Sequence, residues 1–493
     1  MEKFTLFWLT NNYILSKEEL KLVDLNSFQF NKIPPVLLME EAAEKVLNQL
    51  SCDFDLLKEK ICILAGFGNN GGDALSLARK LFFQEIFADI YVFKDKTGSA
   101  LYEQQKEILS SLNINLIDIS ELKEKIFSYT LIIDGIFGIG YKLKEDKEIE
   151  RIFSLLNEGD AKIVSIDIPS GLNTENLNSV NADYTYSIGF LKKDFFNITT
   201  RKKVGKIKDL KISLDLKNCG YSYEYFYIRH MAKPHKKLND FVHKYSRGGC
   251  ISIGGSKGKI GAIIFSGEAS IRSGSGIGLV ITEEENIDLV NLSSKNLIVD
   301  TVDNIGNYID KYKTVIIGPG LAFKNSENIE KIRKIFSLKK QFILDASFFS
   351  IFDKSVLADF AIPPILTPHS KEFKDFFKEE SSNLNTNTMD IVSKVSKKYN
   401  CYIILKDSFL TIGTKDGKVI IYDNPCRILA QAGSGDILSG ILGGILSQDY
   451  SCEEGMLESI RIFYEIAEFL KKSGYKSYEP EYFIDLIGKE VIL

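Results

Sequence analysis

Short, nearly continuous apolar runs recur along this chain and are separated by longer stretches with the apolar spacing of helices. Strands that are buried on both faces of a parallel sheet have such runs, because both of their sides pack against helices. The pattern therefore predicts an α/β fold built on parallel sheets. The predicted strands lie at residues 61–65, 90–93, 131–134, 163–167, 249–255, 315–320, 342–345, 365–369 and 402–406.

The alternation of strands and helices is interrupted once, between about residues 206 and 235, where no periodic helix is recognisable. A chain of 493 residues also exceeds what one hydrophobic core usually supports. We therefore predict two α/β domains, residues 1–222 and 223–493, with a doubly wound sheet in the first. Apolar spacing further predicts helix over residues 14–50 and a long helix over residues 261–280.

Polar residues collect where three predicted strands of the first half end, at residues 66–73, 134–140 and 167–171. Ligands of doubly wound sheets bind beyond the carboxyl ends of the strands, so these segments predict a binding site. Their amide, hydroxyl and carboxylate oxygens suit a hard cation or a polar ring substituent. The side chains concerned are Asn69, Asn70, Asp73, Asp134 and Ser170. For the first loop alone, a structural Asn-Gly turn with a helix cap is an equally good explanation.

The first loop also satisfies the GxGxxG pattern of dinucleotide-binding proteins, at residues 66–71. In those proteins the pyrophosphate rests on bare amides at a helix N-terminus. Here Asp73 would bring a carboxylate to that place, which disfavours an NAD-dependent oxidoreductase. Asp167 closes a buried strand, where an unpaired carboxylate is unfavourable unless it is bonded or takes part in chemistry.

In the second half, Gly433-Ser434-Gly435-Asp436 leads into an apolar run with further glycines. Small residues at a helix start let N–H groups approach a phosphate, and the helix dipole favours negative charge there. A carboxylate at that place is repulsive unless it takes the proton of a hydroxyl that is being phosphorylated, so Asp436 is a candidate base. Taken alone, the tetrad is better explained as a glycine turn with an Asp cap.

The composition narrows the function classes. With 62 basic and 66 acidic side chains the net charge is -4, which indicates neither a nucleic-acid nor an anionic membrane partner. The seven cysteines are scattered without CxxC spacing, so we predict no disulfide framework and no zinc site, and a reducing cytoplasm fits. No secretion signal is recognisable, and no apolar run approaches the ~20 residues of a membrane span.

The loops of the first half, in this order and spacing, resemble the NAD(P)H-hydrate epimerases, whose pattern is GxGNNGGDG, a strand Asp with FGxG, and DIPSG. The resemblance covers residues 15–215 and implies a Rossmann-like fold, Asp167 at the reacting ring, and a potassium ion held by Asn70, Asp134 and Ser170. The implied contacts with the hydrated nicotinamide nucleotide are Asn69, Asn70, Gly71, Gly72, Asp73 and Asp167. The implied phosphate-side loop is Gly138, Ile139, Gly140, Tyr141, Lys142, Leu143 and Lys144.

The second half resembles the ribokinase-like NAD(P)H-hydrate dehydratases over residues 235–493. The resemblance rests on GGS at 254–256, GPGL at 318–321, TPHxxE at 367–372, Lys406 and the GSGD tetrad. It implies Asp436 as the catalytic base and a magnesium ion that accompanies ADP or ATP. The implied substrate contacts are Ala262, Gly320, His369 and Asp436. The implied nucleotide contacts are Lys406, Asp407, Ser408, Phe409, Leu410, Gly433, Ser434 and Gly435.

The chain departs from these patterns at several positions. Ala74 replaces a glycine of the epimerase pattern, and its added methyl is expected to tighten helix packing. Asp407 replaces the glycine after Lys406 and brings a negative side chain to a nucleotide loop. The other departures are Ile260, Ala322 and Ser347. Without the resemblance, His369 would be interpreted as a structural ring, the commoner fate of a lone histidine.

Together the two resemblances imply a repair enzyme for hydrated NADH and NADPH. One domain would interconvert the R and S hydrates, and the other would phosphorylate the S hydrate so that the ring nitrogen expels the new ester. The products would be NAD(P)H, phosphate and AMP from ADP, or ADP from ATP. The expected partners are these small molecules and a second copy of the chain, with no nucleic acid and no membrane.

Two alternatives stay open. A ribokinase-like kinase of a small alcohol or vitamin precursor would use Asp436 and Lys406 equally well and would release a stable phosphorylated product. The N-terminal half would otherwise be a non-catalytic binding or dimerisation module. The joint presence of four polar residues speaks against that second alternative: Asn70, Asp134, Asp167 and Ser170.

Overall fold

The computed structural model describes residues 12–140, 146–173, 178–216, 224–228, 247–323 and 325–489. The chain divides into two compact units, Asn11–Tyr225 with Asn385–Thr388, and a second that consists mainly of Phe226–Leu384 and Met389–Leu493. The predicted domain boundary after residue 222 lies outside the described residues and stays a prediction. No helix in the described part of the chain is long and apolar enough to cross a membrane.

The N-terminal unit contains a seven-stranded parallel sheet and a separate two-stranded pair. In chain order its strands are β1 (Ile14–Leu15), β2 (Ile61–Ala65), β3 (Ala88–Val92), β4 (Leu116–Asp118), β5 (Leu131–Gly135), β6 (Lys162–Ile166), β7 (Tyr184–Ile188), β8 (Leu191–Lys192) and β9 (Lys206–Leu210). Its helices are α1 (Lys17–Gln29), α2 (Pro35–Asp53), α3 (Asn69–Phe83), α4 (Ala100–Ser111), α5 (Lys147–Glu158) and α6 (Arg201–Val204). The sheet order is β4-β3-β2-β5-β6-β7-β9, and β1 pairs with β8.

The sheet of the N-terminal unit has a hydrophobic core on each of its faces. On β2, alternate residues Ile61 and Ile63 join one cluster while Cys62 and Leu64 join the other. Helices on both faces explain why the strand is apolar at every position, as the sequence predicted. The predicted helix over residues 14–50 is corrected: residues 14–15 form β1, and the rest divides into α1 and α2. Pro34 and Pro35 cause the division, because neither can continue a helix from α1 whereas Pro35 suits the first helical position of α2.

The second unit is built on a ten-stranded sheet. Its strands are β10 (Tyr225–Ile228), β11 (Gly249–Ile253), β12 (Ile277–Thr282), β13 (Leu297–Thr301), β14 (Thr314–Ile317), β15 (Gln341–Leu344), β16 (Ile365–Leu366), β17 (Tyr402–Lys406), β18 (Leu410–Gly413) and β19 (Val419–Tyr422). Its helices are α7 (Ile260–Arg272), α8 (Ile287–Ser293), α9 (Ser326–Lys334), α10 (Phe348–Ile351), α11 (Ser370–Phe376), α12 (Thr388–Lys398), α13 (Ser434–Leu446), α14 (Cys452–Lys472) and α15 (Pro480–Ile487). The order is β10-β19-β18-β17-β16-β15-β14-β11-β12-β13. Strands β11 to β17 pair in parallel, and β17, β18 and β19 pair antiparallel.

The long helix predicted over residues 261–280 is also corrected. Helix α7 ends at Arg272, and Ile277–Thr282 forms β12 between β11 and β13. Gly274, with φ +115°, adopts a conformation that a helix does not contain, so the chain turns there. The β-branched residues after it favour a strand.

Glycines on α13 bring this helix into close contact with α7. A Cβ on Gly440 would lie 2.3 Å from the carbonyl oxygen of Ser266, and one on Gly444 would lie 2.1 Å from Ser273 Oγ. The glycine-spaced run after the tetrad is therefore a packing surface. It fixes the position of the α13 N-terminus, where Asp436 lies.

Candidate active sites

At the ends of β5 and β6, Asp134 and Ser170 form one buried hydrogen-bonded group. Ser165 Oγ donates to Asp134 Oδ2 at 2.7 Å, and the Ser170 N–H donates to the same oxygen at 2.9 Å. The Ser170 hydroxyl donates to Asp134 Oδ1 and accepts from the Phe137 N–H at 2.8 Å. Burial raises the pKa of Asp134 and these donors oppose the rise. Two of the three residues predicted to hold a cation are thus in direct contact.

Asn70, the third of them, lies in the first turn of α3 and is 6% exposed. Its Oδ1 and Nδ2 are buried, and neither has a hydrogen-bond partner among the described residues. A Cβ on Gly138 would lie 3.4 Å from the Asn70 Cβ, so Asn70 faces the loop after β5. Because a buried amide without partners is unfavourable, these two atoms fit a bound ion or ligand.

The loop before α3 depends on residues without bulky side chains. A Cβ on Gly71 would lie 1.8 Å from the carbonyl oxygen of Gly66. The methyl of Ala74 lies 2.5 Å from where a Cβ on Gly135 would be, and Ala74 is fully buried. Ala74 therefore packs α3 onto the end of β5, as its departure from the family pattern led us to expect.

Asp167 follows β6 and is paired with a buried lysine. Its φ of +68° is in the left-handed region, which is uncommon for a residue other than glycine. Lys192, 3% exposed on β8, donates to Asp167 Oδ1, to Ser187 Oγ at 3.1 Å and to the Ile188 carbonyl at 2.9 Å. The Ile188 N–H also donates to Asp167 Oδ1, at 3.2 Å. Asp167 Oδ2 has no such partner among the described residues, which leaves it available to a ligand.

Two more carboxyl groups belong to this site. Asp73 lies on α3, three residues after Asn70. Burial and then the negative charges of Asp167 and Asp24 raise its pKa well above the ordinary value, and Lys192 opposes the rise. Asp24, on α1, lies close enough for its charge and that of Asp167 to act on each other. Three carboxyl groups therefore share the single ammonium of Lys192.

A small cavity of about 20 Å³ lies beside these residues. Gly138 and Ile139 line it from the loop after β5, and the loop after β6 lines it with Ile168, Pro169, Gly171, Leu172 and Asn173. Lys17 of α1 completes the wall, and its Nζ lies 3.1 Å from Asp194 Oδ2. Of the predicted phosphate-side loop, Tyr141, Lys142, Leu143 and Lys144 lie outside the described residues.

In the second unit, two glycine loops are hydrogen-bonded to each other. The Gly255 N–H donates to the Pro319 carbonyl at 3.0 Å, and the Ser256 N–H donates to the Gly320 carbonyl at 2.9 Å. A Cβ on Gly320, whose φ is +63°, would lie 2.4 Å from the carbonyl oxygen of Lys259, directly before α7. Gly320 is therefore adjacent to the α7 N-terminus, where Ala262 lies.

The N-terminus of α13 is open to a ligand. Gly433 precedes it with φ +89°, and no side chain forms a cap hydrogen bond there. A Cβ on Gly433 would lie 3.2 Å from the ring of Phe265 on α7. A Cβ on Gly435 would lie 3.2 Å from Lys406 Nζ. The tetrad thus presents main-chain N–H groups beside an ammonium, an arrangement suited to phosphate.

Lys406 is paired with Asp345 and not with Asp436. The Lys406 ammonium donates to Asp345 Oδ1 at 2.8 Å, and the Asp345 side chain is only 2% exposed. Burial raises the pKa of Asp436 to about 7, the charges of Asp345 and Glu372 add to the rise, and Lys406 opposes it. Burial likewise raises the pKa of Glu372. Asp436 is therefore a carboxyl group that changes its protonation near neutral pH, as a general base requires.

His369 has a structural role. Its ring is half-exposed, so it can contact a ligand as well. Its Nδ1 accepts from the N–H groups of Lys371 at 3.1 Å and Glu372 at 3.2 Å at the start of α11. Glu372 Oε2 accepts from the His369 N–H at 2.9 Å, which completes a capping box. With Nδ1 an acceptor, the neutral ring carries its proton on Nε2.

Asp407 is hydrogen-bonded to two neighbouring residues. It accepts from the Ser370 hydroxyl and, at 2.7 Å, from the Ser408 N–H. The departure from glycine therefore links the β17–β18 turn to the start of α11. The side chains of Phe409 and Leu410 are buried, and the Phe409 carbonyl accepts from the Asp407 N–H at 3.3 Å.

Sequence reasoning did not identify Lys17, Asp24 or Lys192 as site residues. Lys17 and Asp24 are seven positions apart on α1, a spacing that returns to the same helix face, but nothing in the pattern says what that face covers. Lys192 lies close to Asp167 because β8, which follows β7 in the chain, pairs with β1. No local pattern in the sequence reveals this pairing. Within the described residues there is no group of three or more His, Cys, Asp or Glu arranged to hold a metal ion.

Comparison with known proteins gave matches over both units. Residues 250–489 match the family model described as NAD(P)H-hydrate dehydratase, and residues 36–194 match the one described as YjeF-related protein N-terminus. The bifunctional NAD(P)H-hydrate repair enzyme of Dictyoglomus turgidum is 29% identical over 479 residues, which cover 90% of this chain and 91% of the relative. The protein of the same name from Escherichia coli is 25% identical over 402 residues, 79% of this chain and 76% of the relative. A solved structure of the ADP/ATP-dependent NAD(P)H-hydrate dehydratase of Bacillus subtilis, co-crystallised with ATP and Mg²⁺, has a TM-score of 0.45 and 22% identity and covers 51% of this chain and 91% of that one.

Proposed function

Because the chain belongs to the bifunctional NAD(P)H-hydrate repair enzymes, we propose that its two units act in turn on hydrated NADH and NADPH. The N-terminal unit interconverts the R and S hydrates. The C-terminal unit dehydrates the S hydrate at the expense of ADP or ATP and returns NAD(P)H, phosphate and AMP or ADP. The observation that carries this proposal is the placement of Asp436 in the uncapped first turn of α13, beside the Lys406 ammonium.

In the dehydratase reaction Asp436 is the proposed base. The hydrated ring carries a hydroxyl on the carbon next to the ring nitrogen, and hydroxide is a poor leaving group. Asp436 takes the hydroxyl proton while the N–H groups of Gly433 to Gly435 stabilise the phosphoryl group in transfer. The ring nitrogen then expels phosphate, and the carbon–nitrogen double bond that forms relaxes to the dihydronicotinamide as a ring proton is lost.

The remaining dehydratase contacts follow from position. Ala262, Gly320 and His369 are the proposed contacts with the hydrated nicotinamide. Lys406 and the main chain of the β17–β18 turn hold the phosphates and adenosine of the nucleotide, whose magnesium ion neutralises phosphate charge when bound. Asp345 positions Lys406 through their ion pair, since the 2.8 Å contact fixes the ammonium beside Gly435.

In the epimerase reaction Asp167 is the proposed acid and base at the reacting carbon. Asn70, Asp134 and Ser170 fit a potassium ion, because the buried Asn70 Oδ1 has no partner within the described chain. Such an ion would order the loops after β5 and β6. The proposed phosphate contacts are Lys17, Gly138 and Ile139, which line the adjoining cavity, and the rest of the loop from Gly140 to Lys144.

The test is to mix the chain with chemically hydrated NADPH and either ADP or ATP, and to follow the return of the near-UV absorbance of dihydronicotinamide. We expect full recovery of both epimers, with release of phosphate. A stable phosphorylated product without recovery of absorbance would contradict the proposal in favour of a kinase. Omission of potassium should slow the second epimer alone.

We further propose that the protein works in the cytoplasm as a homo-oligomer. Six of the seven cysteines lie in the described part of the chain, and all six are free thiols, which suits a reducing compartment. Sedimentation of the purified protein under reducing conditions measures the oligomeric state directly.

A further inference from the structure

The carboxyl groups of the N-terminal site differ in their partners. This difference bears on how the configuration of the hydroxyl-bearing carbon is inverted. Asp167 Oδ1 is held by Lys192 and by the Ile188 N–H, whereas Asp167 Oδ2 is free of protein contacts among the described residues. Asp73 forms no ion pair or side-chain hydrogen bond in that part of the chain. Asp167 is thus held in place through one oxygen while its other oxygen stays free within the described residues, and Asp73 has no ion-pair partner there.

The two groups also stand on different sides of the end of β5. Asp167 follows β6, and α3 begins after β2, with β5 between these two strands. Two strand spacings separate the neighbours of β5 by roughly 10 Å, so the two groups reach the end of β5 from opposite sides. Helical geometry turns Asp73 toward the side of Asn70 and away from Gly71, which packs against Gly66. Asp73 therefore lies on the same face of α3 as Asn70.

We propose that epimerisation uses two carboxyl groups, Asp73 and Asp167, one on each side of the substrate ring, with Lys192 as the positioning residue of Asp167. This inference rests on the proposed epimerase function. Inversion at one carbon requires a hydroxyl to leave one face and water to add to the other. A single carboxyl group reaches only one face, unless the ring turns over within the site.

The chemistry balances with these two groups. The lone pair of the ring nitrogen forms a C=N bond while the C–O bond breaks, and the departing oxygen takes the Asp73 proton and leaves as water. A second water adds to the opposite face of this iminium ion, forms the new C–O bond and gives its proton to Asp167 Oδ2, while the C=N electrons return to nitrogen. One proton has then passed from Asp73 to Asp167, and exchange with solvent restores both groups. The reverse epimerisation uses the same groups in exchanged roles.

The charges around the pair support this division of roles. Burial and the negative charges of Asp167 and Asp24 raise the pKa of Asp73 well above its ordinary value, which favours its protonated form. Lys192, the ammonium that faces the group, donates to Asp167 and not to Asp73. Asp24 of α1 is the remaining carboxyl group at the site, and it adds to the repulsion.

Oxygen labelling tests the proposal. The purified epimers are incubated with the full chain in H₂¹⁸O without nucleotide. The two epimers are then separated, their ¹⁸O content is measured by mass spectrometry, and the result is compared with a protein-free control. We expect every inverted molecule to carry one ¹⁸O. Asp73→Asn and Asp167→Asn should each lose inversion roughly 10²-fold or more, yet each should still exchange ¹⁸O into one epimer, a different epimer for each variant. Each remaining group can still expel and return oxygen on its own face.

The controls separate a catalytic role from a structural one. Asp55→Asn, at an exposed carboxylate, should invert at the wild-type rate. Asp73→Glu keeps a carboxyl group and should recover part of the lost rate. Lys192→Met should lower the inversion rate, because Asp167 loses the donor that holds its carboxyl group in place, and Lys192→Arg, which keeps a donor there, should restore part of that rate.

Two results would overturn the inference while leaving the epimerase function intact: inverted product without label, or inversion by Asp73→Asn at the wild-type rate. Failure of the unaltered chain to interconvert the epimers above the protein-free rate would instead remove the epimerase function itself. Loss of both inversion and exchange in Asp73→Asn and in Asp73→Glu would also count against the proposal, since the Asp167 face should remain active in both.

Discussion

The two sites contain the same three kinds of charged group, namely a lysine, a strand-end aspartate and a second carboxyl group on a helix. In each unit a lysine is paired with a strand-end aspartate, Lys192 with Asp167 and Lys406 with Asp345. In each unit a second carboxyl group on a helix lacks a cation and has a raised pKa, Asp73 on α3 and Asp436 on α13.

The difference lies in which partner of the ion pair is buried. In the N-terminal site the lysine is 3% exposed and the aspartate 18%, so Asp167 reaches the ligand and Lys192 supports it. In the C-terminal site the aspartate is 2% exposed and the lysine 22%, so Lys406 reaches the ligand and Asp345 supports it. The exposed partner determines the chemistry: a carboxylate suits proton transfer, and an ammonium suits phosphate.

The strongest way to break this comparison is to remove Asp436. We expect Asp436→Ala to lower the dehydratase rate roughly 10²–10⁴-fold, the usual contribution of a positioned general base. Nucleotide affinity should be retained or increase, because the variant removes a negative charge next to the phosphates. Recovery of near-UV absorbance measures the rate, and calorimetric titration with ADP measures the affinity.

Epimerase activity in the same variant is the internal control and should not change. An unchanged dehydratase rate would show that another group takes the proton, with Glu372 the nearest alternative because its charge also acts on Asp436.

The second test concerns stability. Lys406→Met leaves Asp345 buried and unpaired, and removal of one partner of a buried pair costs about 3–5 kcal/mol of the free energy of unfolding. Lys192→Met should cost less, because the Asp167 that it leaves behind is more exposed and can be hydrated. Denaturant unfolding and calorimetry measure the loss of the free energy of unfolding in each variant. The double variant Lys406→Met with Asp345→Asn should regain most of the loss, and equal losses in the two single variants would contradict the comparison.

The strands were predictable because their signal is local. Runs such as residues 61–65 and 402–406 are apolar at every position, since both faces of a central parallel strand are buried. Helix limits were less predictable, as the corrections at α1, α2 and β12 show. At a few positions, proline or glycine ended a helix that the apolar spacing had predicted to continue.

Within the sites, residues on the motif loops were predictable and their partners were not. Asp134 and Ser170 meet as expected, because parallel strand ends share one edge of the sheet. Lys192 was missed because its role depends on the pairing of β1 with β8 and on the left-handed backbone of Asp167, neither of which has a sequence pattern. Asp407 was noticed as a departure, but its bond to Ser370 joins residues 37 positions apart.

A third test concerns the glycines that place the α13 N-terminus. A Cβ on Gly444 would lie 2.2 Å from the Ser270 carbonyl, so Gly444→Ala should lower the free energy of unfolding by about 1–3 kcal/mol and displace α13. The dehydratase rate should fall while the epimerase rate is retained. Gly306→Ala is the matched control, because nothing lies within 4 Å of its added methyl. A wild-type dehydratase rate in Gly444→Ala would show that the site tolerates movement of α13.

The smallest and most specific effect is the pH dependence that follows from the raised pKa of Asp436, about 7. A base must be ionised, so dehydratase activity should fall roughly tenfold for each pH unit below about 7 and level off above it. The folded state binds an extra proton between the ordinary pKa of 3.8 and about 7, so in that window this carboxyl group lowers the free energy of unfolding as pH rises. Asp436→Asn should remove this decrease and stabilise the protein at pH 8, as thermal unfolding at pH 5 and pH 8 would measure. A dehydratase rate that stays flat from pH 5 to 8 would mean that Asp436 is already ionised at pH 5, and then the resemblance in charge between the two sites does not extend to their second carboxyl groups.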